Sequence, residues 1–196
     1  MAQTETITGF GLRLRCVTEN DAKEILNLRT DPSLTKFIPA LCNDEAKQRS
    51  WIERQKSTPH DYYFAIEKLN TSTHPPEGFI GLYNIDCKKK YGEWGRWIVR
   101  PRSLAAYESA YLIYQFGFDS LRLNLLYSQT IRENTSVVLF HEKCGCDRVS
   151  DVPKRFVVHG RARNVTRHEM TLKKWQQVKE NFRSVAAKYS EFILRH

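Results

Sequence analysis

The sequence predicts a mixed α/β fold: a sheet flanked by helices, in one domain over residues 1–196. Three observations predict it. Between Tyr91 and Cys146 the pattern runs strand, basic turn, helix, strand, capped helix. Short alternating segments and two helical ones precede that stretch, and a strand pair follows it. Composition, at 41% hydrophobic and 27% charged residues, is that of a globular chain long enough to bury its own core.

In chain order, Leu12–Cys16 alternates Leu12 and Leu14 with Arg13 and Arg15, the mark of a half-buried strand. Thr18 followed by Asp21 signals a helix start, Ile25, Leu26 and Leu28 form its apolar side, and Asp31-Pro32 ends it. Asn43 or Asp44 caps a second helix to about Lys56, anchored by Trp51 and Ile52. Tyr62–Glu67 and Phe79–Ile85 read as antiparallel strands around a polar, proline-bearing loop, and Cys87–Lys90 as a basic turn.

The strand Glu93–Val99 ends at Arg100-Pro101. A helix over Ala105–Asp119 follows, with Ala106, Ala110, Ile113, Tyr114, Gly117, Phe118 and Leu121 at helical spacing. Next come a strand at Leu125–Thr130 and a helix at Thr135–Lys143, capped by Asn134 and stopped by Gly145. Arg148–Val152 and Val165–Leu172 form a closing pair. In the last helix, about 172–194, Trp175, Val178, Phe182, Val185, Tyr189 and Phe192 follow at spacings of three and four. That seam is expected to cover a sheet face or edge and to contribute to a homodimer contact.

Net charge is +9 and concentrates in the tail: Asp151–His196 holds 11 Lys+Arg against 4 Asp+Glu. Such a surplus attracts anionic ligands. No run of 18 apolar residues and no basic-then-apolar N-terminus is present, so neither a membrane span nor a secretory signal is expected. Five scattered cysteines favour reduced thiols in a cytoplasmic setting, and Cys144-x-Cys146 is too close-spaced for the usual zinc knuckle. No metal is expected.

The central order, with these residues, resembles the GNAT superfamily of acyl-CoA-dependent N-acyltransferases. The likeness is best where Asn134 leads into Phe140-His141-Glu142-Lys143-Cys144-Gly145-Cys146, similar to the family's Asn-x-x-Ala-x-x-Leu-Tyr-x-x-x-Gly-Phe. Leu12–Ile38 resembles the opening of the ribosomal-protein-type branch, and the likeness spans about residues 11–172. Two positions depart from the pattern. Arg102-Ser103-Leu104-Ala105-Ala106 has no glycine where the family reads Arg/Gln-x-x-Gly-x-Gly/Ala, and His141 stands in place of the tyrosine.

The resemblance implies a mostly antiparallel sheet whose two parallel central strands splay apart. It implies acetyl-CoA as co-substrate, its thioester carbonyl held by a backbone N–H at about Ile98 or Val99. The turn before the helix, with Arg100, Arg102, Ser103, Leu104, Ala105 and Ala106, would hold the pyrophosphate, because helix N-terminal amides and the dipole favour anions. Asn134 would reach the pantetheine arm. His141 would replace the tyrosine as acid when protonated. Glu93 would draw the amine's proton through water, with Glu108 a second candidate base, while Gln129 stands where some relatives carry a glutamate. Arg29, Phe37 and Trp51 would wall the acceptor site.

The function expected is acetyl transfer to the primary amine of a small, anionic acceptor. An amino-sugar nucleotide is favoured, since it suits a basic protein and the middle of the chain resembles enzymes acting on such sugars. The alternative acceptor is a protein N-terminus. Outside catalysis stand a degenerate acyltransferase that only binds a partner, and a nucleic-acid binder using the basic tail.

Overall fold

A computed structural model describes residues 6–70 and 75–195. Eight strands form one sheet: β1 (Ile7–Thr8), β2 (Leu12–Cys16), β3 (Tyr62–Lys68), β4 (Gly78–Asp86), β5 (Tyr91–Val99), β6 (Leu125–Ile131), β7 (Asp147–Val158) and β8 (Arg161–Thr171). Their order is β1-β2-β3-β4-β5-β6-β8-β7. Among the described residues all pairings are antiparallel except β5 with β6.

Side-chain alternation splits the core in two. On one face Tyr63, Ala65, Phe79 and Ile98 pack with Ala22, Ile25 and Leu28 of α1 (Ala22–Thr30) and Ile52 of α2 (Glu45–Ser57). On the other, Phe64, Ile66, Ile80, Leu82 and Trp94 pack with α3 (Ala106–Gln115) and α5 (Leu172–Arg195). The helix starts follow local chemistry. Thr18 N and Oγ1 donate to Asp21 Oδ2 at 2.7 and 3.1 Å, and Asp44 accepts from Lys47 N at 3.1 Å. At the end of α4 (Thr135–Lys143), Gly145 takes φ +88°. Its amide bonds Glu142 O and that of Cys146 bonds His141 O, a Schellman close.

Three expected elements change. The helix predicted to Asp119 is α-helical only to Gln115, then widens into a π-turn at Phe116–Ser120, where a Cβ on Gly117 would lie 2.6 Å from Leu126. The closing hairpin is longer than its pattern, turning at His159 and Gly160, both at positive φ. The tail seam is corrected. Trp175, Phe182, Ala186, Ser190 and Ile193 are buried, while Tyr189 and Phe192 are exposed. Those steps of seven, four, four and three follow the 3.6-residue period of a straight helix, from which a strict 3-4 seam drifts by about 20° per heptad. The stripe belongs to the chain's own core: Trp175 meets Tyr111 and Tyr114 at 5.6 and 5.8 Å.

Candidate active site

The parallel pairing of β5 and β6 covers only Tyr91–Glu93 against Leu125–Tyr127. Beyond it β5 stays with β4, through Ile98↔Phe79 and Val99↔Gly78, while β6 stays with β8 as far as Ile131↔Val165. The sheet therefore opens between residues 94–99 and 128–131. A bulge bends β5 at that point: three steps from Gly95 to Ile98 oppose two from Gly81 to Phe79, and Arg96 takes φ +47°. Arg100 N donates to Glu77 O on the β4 side. By alternation the amide of Val99 turns into the opening and that of Ile98 turns to β4. Of the two expected carbonyl donors, the register leaves Val99.

The bulge is held by a latch. Arg96 Nη1 and Nη2 donate to Asp61 Oδ1 and Oδ2 at 2.5 and 2.9 Å. The guanidinium lies over Tyr83 at 4.2 Å, Trp51 at 5.2 Å and Tyr63 at 5.9 Å. A Cβ on Gly95 would lie 2.6 Å from Tyr83 Oη. Sequence reasoning named Trp51 and missed Arg96, Asp61 and Tyr83. The glycines flanking Trp94 in YGEWGRW were the available signal.

Glu93, 6% exposed, stands where the strands part. Its carboxylate accepts from Asn84 Nδ2 at 3.0 Å and Gln129 Nε2 at 3.3 Å. Tyr127, beneath the guanidinium of Arg167 at 3.7 Å, is pushed up to about 12 by burial and then by Glu93. Arg29 and Trp51 both border Tyr63: Trp51 meets it edge-on at 5.7 Å, and Arg29 lies within electrostatic range of its neutral, buried phenol. Phe37 instead packs with Ile131, Val158 and Val165, where His159 Nε2 lies 3.2 Å from Thr35 O.

The turn before α3 departs from expectation. Arg100 is committed: Nε donates to Pro76 O at 2.8 Å and Nη2 pairs with Glu24. Ser103 Oγ donates to Glu77 Oε2 at 2.6 Å and accepts from Ala105 N at 3.1 Å, so it closes a local turn rather than waits for a phosphate. Arg102 takes φ +65°, the conformation glycine would supply, and makes no ion pair among the described residues. Leu104 is exposed, Ala105 is buried, and Ala106 opens the helix. Glu108 is structural. Its Oε1 accepts from the amides of Phe10, Gly11 and Leu12, and its Oε2 from Ser190 Oγ.

Asn134 sits at the cap of α4 but caps with its backbone carbonyl, which accepts from Val137 N and Val138 N. Its Oδ1 accepts from Ser136 Oγ at 3.1 Å. His141 is 2% exposed. Its ring meets Trp94 edge-on at 5.0 Å, stacks on His168 at 5.0 Å, and has Ser128 Oγ 3.3 Å away. Burial and then His168 pull its pKa down to about 3. The protonated imidazole expected there is thus corrected to a neutral one at pH 7. Nor is Cys144 or Cys146 reactive, since burial raises both thiols.

A model of the GNAT acetyltransferase domain matches residues 11–147. The chain belongs to that family. It is an acetyl-CoA-dependent N-acetyltransferase with the family's mixed sheet, flanking helices and an added C-terminal helix. A GCN5-related N-acetyltransferase from Brucella melitensis superposes on this GNAT chain with a TM-score of 0.80 at 18% identity, over 95% of this chain and 87% of that one. Apo FdhC, a nucleotide-linked sugar GNAT, is 26% identical with a TM-score of 0.74, over 91% and 97%. A chimera of spermidine N-acetyltransferase SpeG from Vibrio cholerae and hSSAT is 20% identical with a TM-score of 0.75, over 85% and 98%. No curated protein sequence matches the chain. Among the described residues no group of three or more His, Cys, Asp or Glu could hold a metal ion, and no helix is long and apolar enough to cross a membrane.

Proposed function

We propose that this GNAT acetyltransferase acetylates the primary amine of an amino-sugar nucleotide. Arg29 carries the reading. Its Nε is buried without a hydrogen-bond partner among the described residues, and its guanidinium donates to Pro39 O at 3.2 Å with no ion-paired carboxylate. Desolvation lowers its pKa. A half-buried guanidinium whose Nε has lost water with no partner or counter-charge is costly, and an anionic acceptor beside Tyr63 and Trp51 offsets that cost. Arg96 supports the same acceptor. Its own cation already fills the cage of Trp51, Tyr63 and Tyr83, a place suited to a polyamine's ammonium. The similarity to the nucleotide-linked sugar GNAT agrees.

In this reading Glu93, steadied by Asn84 and Gln129, takes the ammonium's proton through water. The amine's lone pair then forms the C–N bond at the thioester carbon, and the amide of Val99 holds the oxyanion. Collapse breaks the C–S bond, the thiolate leaves with its electron pair, and the second N–H proton passes to solvent. His141, neutral and enclosed, is a wall against Trp94 and Ser128 rather than the acid. Arg102 and the first amides of α3 hold the pyrophosphate, and Asn134 faces the pantetheine arm.

Release of free thiol from acetyl-CoA, followed across amino-sugar nucleotides, spermidine and amine-ended peptides, tests this. Turnover is expected with the sugar nucleotides. Arg29→Gln is expected to raise KM for that acceptor roughly 10- to 100-fold, the range of a lost charge-assisted hydrogen bond, while KM for acetyl-CoA holds. Preference for spermidine or a peptide overturns the reading.

A further inference from the structure

We propose that the C-terminal helix supplies the adenine-binding platform for acetyl-CoA, with the ring of Tyr189 as its stacking surface. This rests on the acetyl-CoA-dependent activity of the family and is independent of which amine is acetylated.

A row of aromatic rings leads from the opened strands to that point. Trp97 of β5 meets Phe140 of α4 at 4.9 Å, and Phe140 meets Tyr107 of α3 at 5.0 Å. Tyr107, in the first turn of α3, stacks on Tyr189 at 4.9 Å with the rings 7° from parallel. The row therefore ends beside the phosphate turn, on a helix that lies beyond the family match at residues 11–147.

Tyr189 keeps 37% of its surface exposed, and Phe192, one helical turn on, keeps 53%. Leu104, inside the turn itself, is 40% exposed. Exposed apolar groups mark a ligand surface where they form one patch with a polar rim. Here Leu104 follows two residues after Arg102, a cation without an ion pair among the described residues, and Tyr189 follows directly on Lys188, exposed on the same helix. A ligand that fits has phosphates at one end and a flat ring at the other. Coenzyme A carries both, in the right order outward from the thioester. The parallel Tyr107–Tyr189 stack holds the platform at a fixed angle, so the base meets a pre-set ring. The offset between burial and hydrophobicity along α5 also follows: the 3.6-residue stripe leaves Tyr189 outside the core, where its ring serves a ligand.

The test compares two thioesters on the full-length protein: acetyl-CoA and S-acetyl-4′-phosphopantetheine, which keeps the arm and one phosphate but lacks the adenosine. Stacking of a base on an aromatic side chain corresponds to roughly 5- to 150-fold in affinity. Tyr189→Ala is expected to weaken acetyl-CoA by about tenfold or more and to leave acetyl-phosphopantetheine within about twofold. Tyr189→Phe, which keeps the ring, is expected to retain the wild-type ratio of the two affinities. Fluorescence of etheno-adenine CoA is expected to be quenched on binding to the wild type and not to Tyr189→Ala. Equal weakening of both thioesters shows a structural effect and overturns the proposal. So does unchanged affinity for both, including the case where Tyr189→Ala alters the oligomeric state instead, which makes this face a subunit contact.

Discussion

Arg96 and Arg102 both adopt the left-handed conformation, at φ +47° and +65°. That costs a non-glycine residue roughly 1–2 kcal/mol. At Arg96 the two-pronged pairing with Asp61 and the stack on Tyr83 offset it. The position of His141 matched the family pattern, but burial beside His168 changed its chemistry. Both rings have lowered pKa values, His168 through desolvation despite Glu142 at 3.7 Å, a distance too long for a hydrogen bond. The unfolded chain binds these protons near pH 6.5 and the folded chain does not. For His141, stability is therefore complete above pH 6.5 and falls as pH drops toward about 3, by up to roughly 1.4 kcal/mol per pH unit, and His168 acts in the same direction. Urea midpoints measured from pH 7.5 to 4 check this. His141→Phe is expected to flatten the slope, and an unchanged slope would show that His141 contributes nothing to it.

Among the elements, α3 and α5 are joined by one buried side chain. Glu108 gathers the amides of Phe10 and Gly11 before β2, that of Leu12 at its start, and the hydroxyl of Ser190. Gly9 is required there, since a Cβ would lie 2.3 Å from Glu108 Oε1. Glu108→Ala leaves three amide donors unpaired, each costing about 1–3 kcal/mol. A loss of at least about 3 kcal/mol in unfolding free energy is expected, and Glu108→Gln, which keeps an acceptor oxygen, is expected to lose less. If the alanine variant melts like the wild type, the tie is dispensable. The reading of Glu108 as a candidate base came from its place in the first turn. What it bonds lies 82–98 residues away in sequence, beyond any periodicity argument.

Across the fold, α5 is part of the core and not an appendage. Trp175, Phe182, Ala186 and Ile193 are buried in the main cluster with α3. Truncation after Lys174 removes all four, so the shortened protein is expected to aggregate or to unfold, read by light scattering and circular dichroism. A soluble, fully active truncation would show that α3 and the sheet suffice. The order of strands and helices was legible because each obeys a short-range rule: alternation in Leu12–Cys16, a cap at Asp44, a glycine stop at Gly145. Such periods and caps depend on a few neighbouring residues, and sequence alone carries them. The opening of β5 from β6, the amide of Val99 facing it, the latch of Arg96 on Asp61, the commitment of Arg100 to Glu24 and the neutral state of His141 depend on partners tens of residues distant. Desolvation and charge pairing act through space, so only the folded arrangement sets them.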